Sequence, residues 1–369
     1  MVWYIVILAL MLCPMGVVYR GKQLGENRQG FALGISCAIL GFFMAMRDLS
    51  VGVDTKYYGY VFSQFRDIPV QEVFSAVTYA TEKKTWSFDF EPGYRLLNKL
   101  LSFLSADPQA ITVFNSLVIL ALVYFLIRRN SSDYMLSIWL YITLGIYQTQ
   151  MNVTRNAIAI LLVYNFFCYV KDGAFKKYAL CCLAAATIHS AALLFIFMYW
   201  FFREVEMNRR NISVMFLTAG GVSVVFPLVR PWVTMLLPGK LGKYLAGGGV
   251  DLGALIVGVF YAVLVWYVCR AMTRDELSRV FKECDLGVHM FVMNMALFCL
   301  TLSFKYAARM AGLFGPYLII LLPQMLERIE SPEKRKKVRY AVYLLCGVQY
   351  VMRLLVNNIG GTMPYQFFW

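Results

Sequence analysis

Residues 178–202 read YALCCLAAATIHSAALLFIFMYWFF, 25 residues without a charged side chain between Lys177 and Arg203, with His189 near the middle. One helix crosses a bilayer with roughly 20 apolar residues, in a range of about 17 to 25, so length alone allows a single tilted crossing. The flanking charges favour another reading. Comparable uncharged runs cover residues 1–19, 29–46, 108–127, 134–154, 156–170, 211–229, 252–269, 286–304 and 310–326, and a last one from Tyr340 is interrupted by Arg353. Backbone amides in hydrocarbon are satisfied only within helices or closed barrels, and the short alternating segments of a barrel are absent, so the fold class is all-α.

If all eleven runs alternate across the bilayer, the basic loops at 20–28, 128–129 and 171–177 face one side. Those at 203–210, 270–282 and 328–339 then face the other, against the rule that Lys and Arg mark cytoplasmic loops. Folding 178–202 as two short helices that enter and leave from the same side removes the conflict. Eight cations in the first three loops then join thirteen in the last three, 21 of the 35 Lys and Arg. The expectation is one polytopic membrane domain over residues 1–369, with ten full crossings, a re-entrant hairpin carrying His189 at its tip, and both termini outside. The first run has neither a basic leader nor a small-residue cleavage site and reads as a retained span. The largest segment between spans, 47–107, then lies on the outer face, with interfacial helices expected in VQEVFSAVTYATEKK and YRLLNKLLSFL. A second outer loop is expected at 230–251, where Gly247, Gly248 and Gly249 follow two prolines.

Composition agrees with this reading. The chain is 60% hydrophobic and 15% charged, against about 25% charged in soluble domains, which excludes a water-soluble globule. The net charge of +14 is explained by cytoplasmic loops and needs no nucleic acid. The nine cysteines form neither a disulfide framework nor a metal-ligand spacing, so neither a metal nor a cofactor is expected. Intramembrane charges are scarce, which disfavours an ion-coupled transporter.

Three polar sets stand at outer ends of spans. MRDLSVGVDTKYYGYVF contains Arg47, Asp54, Tyr57 and Tyr58; TQMNVTRNAIAI contains Arg155; FKYAARMAGLFGPY contains Lys305 and Arg309. A guanidinium at a membrane surface suits phosphate oxygens, and a carboxylate beside it can accept a proton. Each set also has a plainer explanation as interfacial belt, helix cap or snorkelling cation.

The order R-x-x-x-x-G-x-D-x-x-x-Y (47–58), EPGYRLLNKLLSFL (91–104), N-x-x-R-N-A-I-A (152–159), ATIHSAALL (186–194), FKYAARMAGLF (304–314) and PYQFF (364–368) resembles the EpsG family of Wzy-like polymerases. The chain departs from that pattern at Val53 and Asn156, where the family tends to have Thr and Gln. The resemblance implies a membrane glycosyltransferase that joins repeat units of bacterial exopolysaccharide, capsule or O-antigen, carried on undecaprenyl diphosphate, at the outer face of the cytoplasmic membrane. Membrane lipids surround it, and the flippase and chain-length regulator of the pathway are its expected partners. Arg47, Arg155, Arg309 and Lys305 then hold diphosphate; Asp54, Glu91 or His189 supplies the base; Tyr57, Tyr58 and Tyr94 contact sugar. A polysaccharide-lipid flippase and a membrane acyltransferase remain alternatives.

Overall fold

The computed structural model describes residues 1–20, 26–74, 78–81, 84–87, 90–236 and 250–369; the glycine run 247–249 lies outside them. Helices dominate. Among the described residues, Arg28–Ala45, Gln109–Asn130, Arg209–Leu236, Leu252–Arg270 and Ala307–Glu327 are long and apolar enough to cross a membrane. The pair Arg274–Glu283 and Asp285–Leu300, bent by 92°, makes a sixth if counted as one span. The chain is thus a polytopic, all-α membrane protein, and its packing divides it into two compact units.

Unit 1 comprises residues 1–130, 134–203 and 345–369. Its helices are α1 (Val2–Arg20), α2 (Glu26–Ala45), α3 (Thr55–Phe65), α4 (Pro92–Ser102), α5 (Gln109–Asn130), α6 (Tyr134–Thr143), α7 (Ile146–Asn152), α8 (Thr154–Asn165), α9 (Cys168–Lys171), α10 (Phe175–Ala186) and α11 (Leu193–Glu204). Helices α1, α2, α5, α8 and α10 pack in succession, each on the next. The run 134–154 is not one helix. Gly145 adopts φ 76° between α6 and α7, a left-handed conformation that glycine accepts without strain, and Arg353 Nη1 donates to the freed carbonyl of Leu144 at 3.1 Å. The lone charge of the last apolar run therefore serves a helix break.

The decisive segment 178–202 folds back on itself. Phe175 at the start of α10 lies 4.7 Å from Trp200 and 5.0 Å from Tyr199 near the end of α11, and the turn falls at residues 187–192. A single tilted helix would hold those rings far apart.

The 47–107 segment is only partly helical. VQEVFSAVTYATEKK, expected as a helix, instead gives a 3-10 turn at Val70–Glu72 and an antiparallel pair, β1 (Thr78–Thr81) with β2 (Lys84–Ser87), in the register Thr78↔Ser87. Its Thr, Tyr and Trp content favours strand over helix. Helix α4 forms as expected, but buries Tyr94, Asn98, Lys99 and Ser102 while Leu96 and Leu100 face outward, followed by exposed Phe103 and Leu104. An outward apolar face suits a helix lying in a bilayer surface. Lys99 Nζ donates to Phe65 O and Arg66 O at 3.0 and 3.1 Å, placing a cation at the negative end of α3. Between α3, α4 and α5 lies a cluster of Tyr58, Phe62, Phe65, Phe90, Tyr94 and Ile111, which fixes the loop on the helical body.

Unit 2 comprises residues 131–133 and 204–344. Helices α12 (Arg209–Leu236), α13 (Leu252–Arg270), α14 (Arg274–Glu283) and α16 (Ala307–Ala311) pack against α15 (Asp285–Leu300), and α17 (Leu318–Glu327) completes the group. Helix α18 (Pro332–Val356) begins here. His289 is buried in α15, with Nε2 2.6 Å from Val205 O and Nδ1 2.9 Å from Asp285 O; both nitrogens face carbonyls, a structural role.

Candidate functional site

The site is built where α4 begins. Glu91 occupies the N-cap in extended conformation and Pro92 the first helical position, the place where a missing N–H costs nothing. A Cβ on Gly93 would fall 2.7 Å from Thr187 Cβ, and Tyr94 N–H donates to Thr187 O at 3.1 Å. The glycine thus lets α4 sit directly on the α10–α11 turn, and Glu91 joins three parts of the fold. Its Oε1 accepts from Ser190 N and Oγ at 2.9 and 3.0 Å, and its Oε2 from Arg155 Nη1 at 2.7 Å. The two side chains of the ion pair are only 15% and 19% exposed. The Arg155 guanidinium lies 4.1 Å from the Phe90 ring centre, 5.6 Å from Tyr94 and 5.7 Å from Tyr58, so ring faces complete its desolvated shell.

Asp54 stands at the start of α3, half-buried, and its N–H donates to Asn152 Oδ1 at 2.7 Å. One turn on, burial pushes the Tyr58 hydroxyl up to about 12, with Arg155 opposing and Asp54 and Glu91 reinforcing the shift. Tyr58 therefore keeps its proton at neutral pH, and two carboxylates and one guanidinium act on the same phenol.

The turn before Asp54 is held from the other end of the chain. Gly52, with φ 100°, donates its N–H to Gly361 O at 3.0 Å, Val53 N–H to Gly360 O at 3.2 Å, Asp48 N–H to Gln366 O at 2.9 Å, and Phe368 N–H to Met46 O at 3.2 Å. A Cβ on Gly360 would lie 3.1 Å from Asn152 Cβ. The C-terminal tail, Asn152 and the Gly52–Asp54 turn thus form one packed unit, three residues from Arg155.

A family model, described as the EpsG family, matches residues 30–367. The chain belongs to the EpsG family. EpsG proteins are Wzy-like polysaccharide polymerases. No curated protein and no solved structure matches the chain.

In this EpsG protein the expected site residues separate into groups. Asp54, Glu91, Arg155 and His189 gather in unit 1. His189 Nδ1 accepts the Ala191 N–H at 3.1 Å; since an amide can only donate, the neutral ring carries its proton on Nε2. His189 thereby presents a donor, not a basic lone pair, which corrects its expected role as base. Arg47 is wholly buried, its guanidinium bound to Met44 O, to Ser116 Oγ at 3.2 Å and to Met151 O at 2.8 Å. Two internal carbonyls and a hydroxyl take the place of the expected diphosphate, and Arg47 is a strut between helices. Tyr94 and Tyr58 are also buried, Tyr94 hydroxyl accepting from Asn115 Nδ2 at 2.8 Å; rings enclosed by protein have no face for a sugar. Tyr57 is 44% exposed and edges onto Phe90 at 5.6 Å. Lys305 and Arg309 belong to unit 2 and are exposed.

The sequence reading missed Phe90, Asn152 and Ser190. Each had a faint signal: Phe90 directly precedes EPGY, Asn152 opens the N-x-x-R motif, and Ser190 follows the hairpin histidine.

Proposed function

We propose that this EpsG protein transfers a growing glycan from one undecaprenyl diphosphate to the nonreducing-end hydroxyl of a repeat unit on another, at the outer face of the bacterial cytoplasmic membrane. The single observation that carries the chemistry is the grouping of Asp54, Tyr58, Glu91 and Arg155 beside the hairpin turn. The acceptor oxygen forms the new bond to the anomeric carbon as the bond from that carbon to the diphosphate breaks, and the electron pair leaves with the diphosphate. Asp54 takes the hydroxyl proton. Both Glu91 oxygens accept from Arg155 or Ser190, which gives that carboxylate a structural part in the same group. The Glu91–Arg155 pair locks loop to hairpin, His189 Nε2–H donates to substrate oxygen, and exposed Tyr57 offers a ring to a sugar. The flippase and chain-length regulator of the same pathway are the partners this reading entails.

Asp54→Asn in a strain lacking the native copy is the test. Long polymer should fall by a factor of about 100 or more, the usual scale of general-base loss, with protein level unchanged and single lipid-linked repeat units accumulating outside. Accumulation inside on deletion of the whole protein favours a flippase instead. Cysteine labelling of the 328–331 loop and of Asn357 checks the orientation: the first should be cytoplasmic, the second external.

A further inference from the structure

We infer that Asn152 is the positioning residue of the proposed base, and that the break between α7 and α8 is the common mount of both site carboxylates. The inference rests on the polymerase reading and adds to it the group that holds Asp54 in place. Four residues of the 151–155 segment are tied to other elements. Met151 O accepts from Arg47 Nη2 at 2.8 Å, and Asn152 Oδ1 accepts the Asp54 N–H at 2.7 Å. Thr154 Oγ1 accepts from Asn115 Nδ2 at 3.2 Å, and Arg155 Nη1 donates to Glu91 Oε2 at 2.7 Å. Asn115 Nδ2 also reaches the Tyr94 hydroxyl at 2.8 Å. The same short segment thus grips the starts of α3 and α4, and it sets the separation of Asp54 from Glu91 independently of the long loop that joins them in sequence.

The Asn152 side chain is not needed to end its own helix, because Val153 N–H closes α7 on Thr149 O at 3.0 Å. Asp54 in turn makes no side-chain cap bond to α3. A capping aspartate has an extended main chain and bends its carboxylate over the first free amides of the helix. Asp54 instead has φ −85° and ψ −18°, a helical conformation, and the bond from its N–H to Asn152 fixes it there. Gly52 at φ 100° and Gly360 at φ 63° bring main chain against two sides of Asn152. A Cβ on Gly52 would lie 3.4 Å from the Asn152 Oδ1, and one on Gly360 would lie 3.1 Å from its Cβ. The Asn152 amide therefore has little room to turn, and the orientation of the base follows from it. Misplacing a reacting group by about 1 Å costs up to about 100-fold in rate.

The test measures turnover by full-length protein in liposomes, supplied with lipid-linked repeat units extracted from cells that lack it. Asn152→Ala should lower kcat about tenfold or more and leave KM within about twofold, since it frees the base without touching substrate. Asn152→Asp keeps an acceptor for the Asp54 amide and should bring kcat back to within about threefold of wild type at alkaline pH. Its added charge disfavours ionised Asp54, so the acid limb of its rate profile should lie about half a pH unit or more above the wild-type limb. An asparagine that only stabilised the fold would not move that limb. Thermal unfolding shows whether Asn152→Ala is folded, and Asn152→Asp decides the matter if it is not. Wild-type kcat in Asn152→Ala, an inactive Asn152→Asp, or an unshifted acid limb in Asn152→Asp each overturns the positioning role while leaving the polymerase reading intact. The assignment of the base fails instead if Asp54→Asn itself turns over at the wild-type rate.

Discussion

Arg155 in unit 1 and Arg309 in unit 2 look alike in sequence, each a lone guanidinium at the edge of an apolar run, yet the fold treats them in opposite ways. Arg155 is enclosed by three rings and paired to Glu91 at 2.7 Å. Arg309 is exposed on one ring and has no carboxylate partner among the described residues. The first is a neutralised joint that fixes loop to hairpin; the second stays in contact with solvent beside one ring. A cation near a membrane surface is thus not a phosphate ligand by position alone. What decides is whether the chain provides its counter-ion.

The sharpest way to break this contrast is to truncate the two partners in parallel. Glu91→Ala should cost about 3 kcal/mol, since it strands a desolvated guanidinium, whereas Arg309→Ala should stay within about 0.5 kcal/mol. Thermal unfolding in detergent measures both, and equal shifts abolish the distinction. Next, Gly93→Ala forces a methyl group into Thr187 and should destabilise by about 1–3 kcal/mol, because α4 can no longer seat on the turn; wild-type stability means that the junction is looser than described. Arg155→Lys keeps the charge but loses the planar stack, and about 1–2 kcal/mol should follow, again by unfolding. The smallest effect is that of salt. Moving from about 0.1 M to 1 M shortens the screening length from about 10 Å to 3 Å, which should erase any stability cost of Glu330→Gln at the exposed Arg279–Glu330 pair of unit 2 while leaving the difference between wild type and Glu91→Ala nearly unchanged.

Much of the fold was legible because hydropathy and charge act over long windows. The fold-back at 178–202 could be read from the parity of basic loops, although the segment itself contains neither proline nor glycine. Short-range geometry was not legible in the same way. Strand pairing at 78–87 depends on local Thr and aromatic content within a segment too brief for periodicity. Helix breaks such as Gly145 are fixed by distant partners like Arg353. In the candidate site, Asp54, Glu91 and Arg155 stood out as ionisable groups, but the fate of Arg47 did not, since nothing in its neighbourhood says that it turns inward to the carbonyls of Met44 and Met151. Tyr58 and Tyr94 deceived for a related reason: an aromatic residue at an interface and one in a core have the same letter.

The bonds from Gly360, Gly361 and Gln366 to the Asp48–Val53 segment impose an order of events on biosynthesis. The proposed base leaves the ribosome about 300 residues before the residues that set its turn. A nascent chain can insert its earlier helices and still lack an ordered Asp54 turn until residues 360–366 emerge. A ribosome that stalls after residue 356 would release a membrane-inserted protein with its catalytic turn unbraced. Synthesis of residues 360–366 is thus a precondition for an ordered catalytic turn, and a variant truncated after residue 356 should reach the membrane while making no polymer.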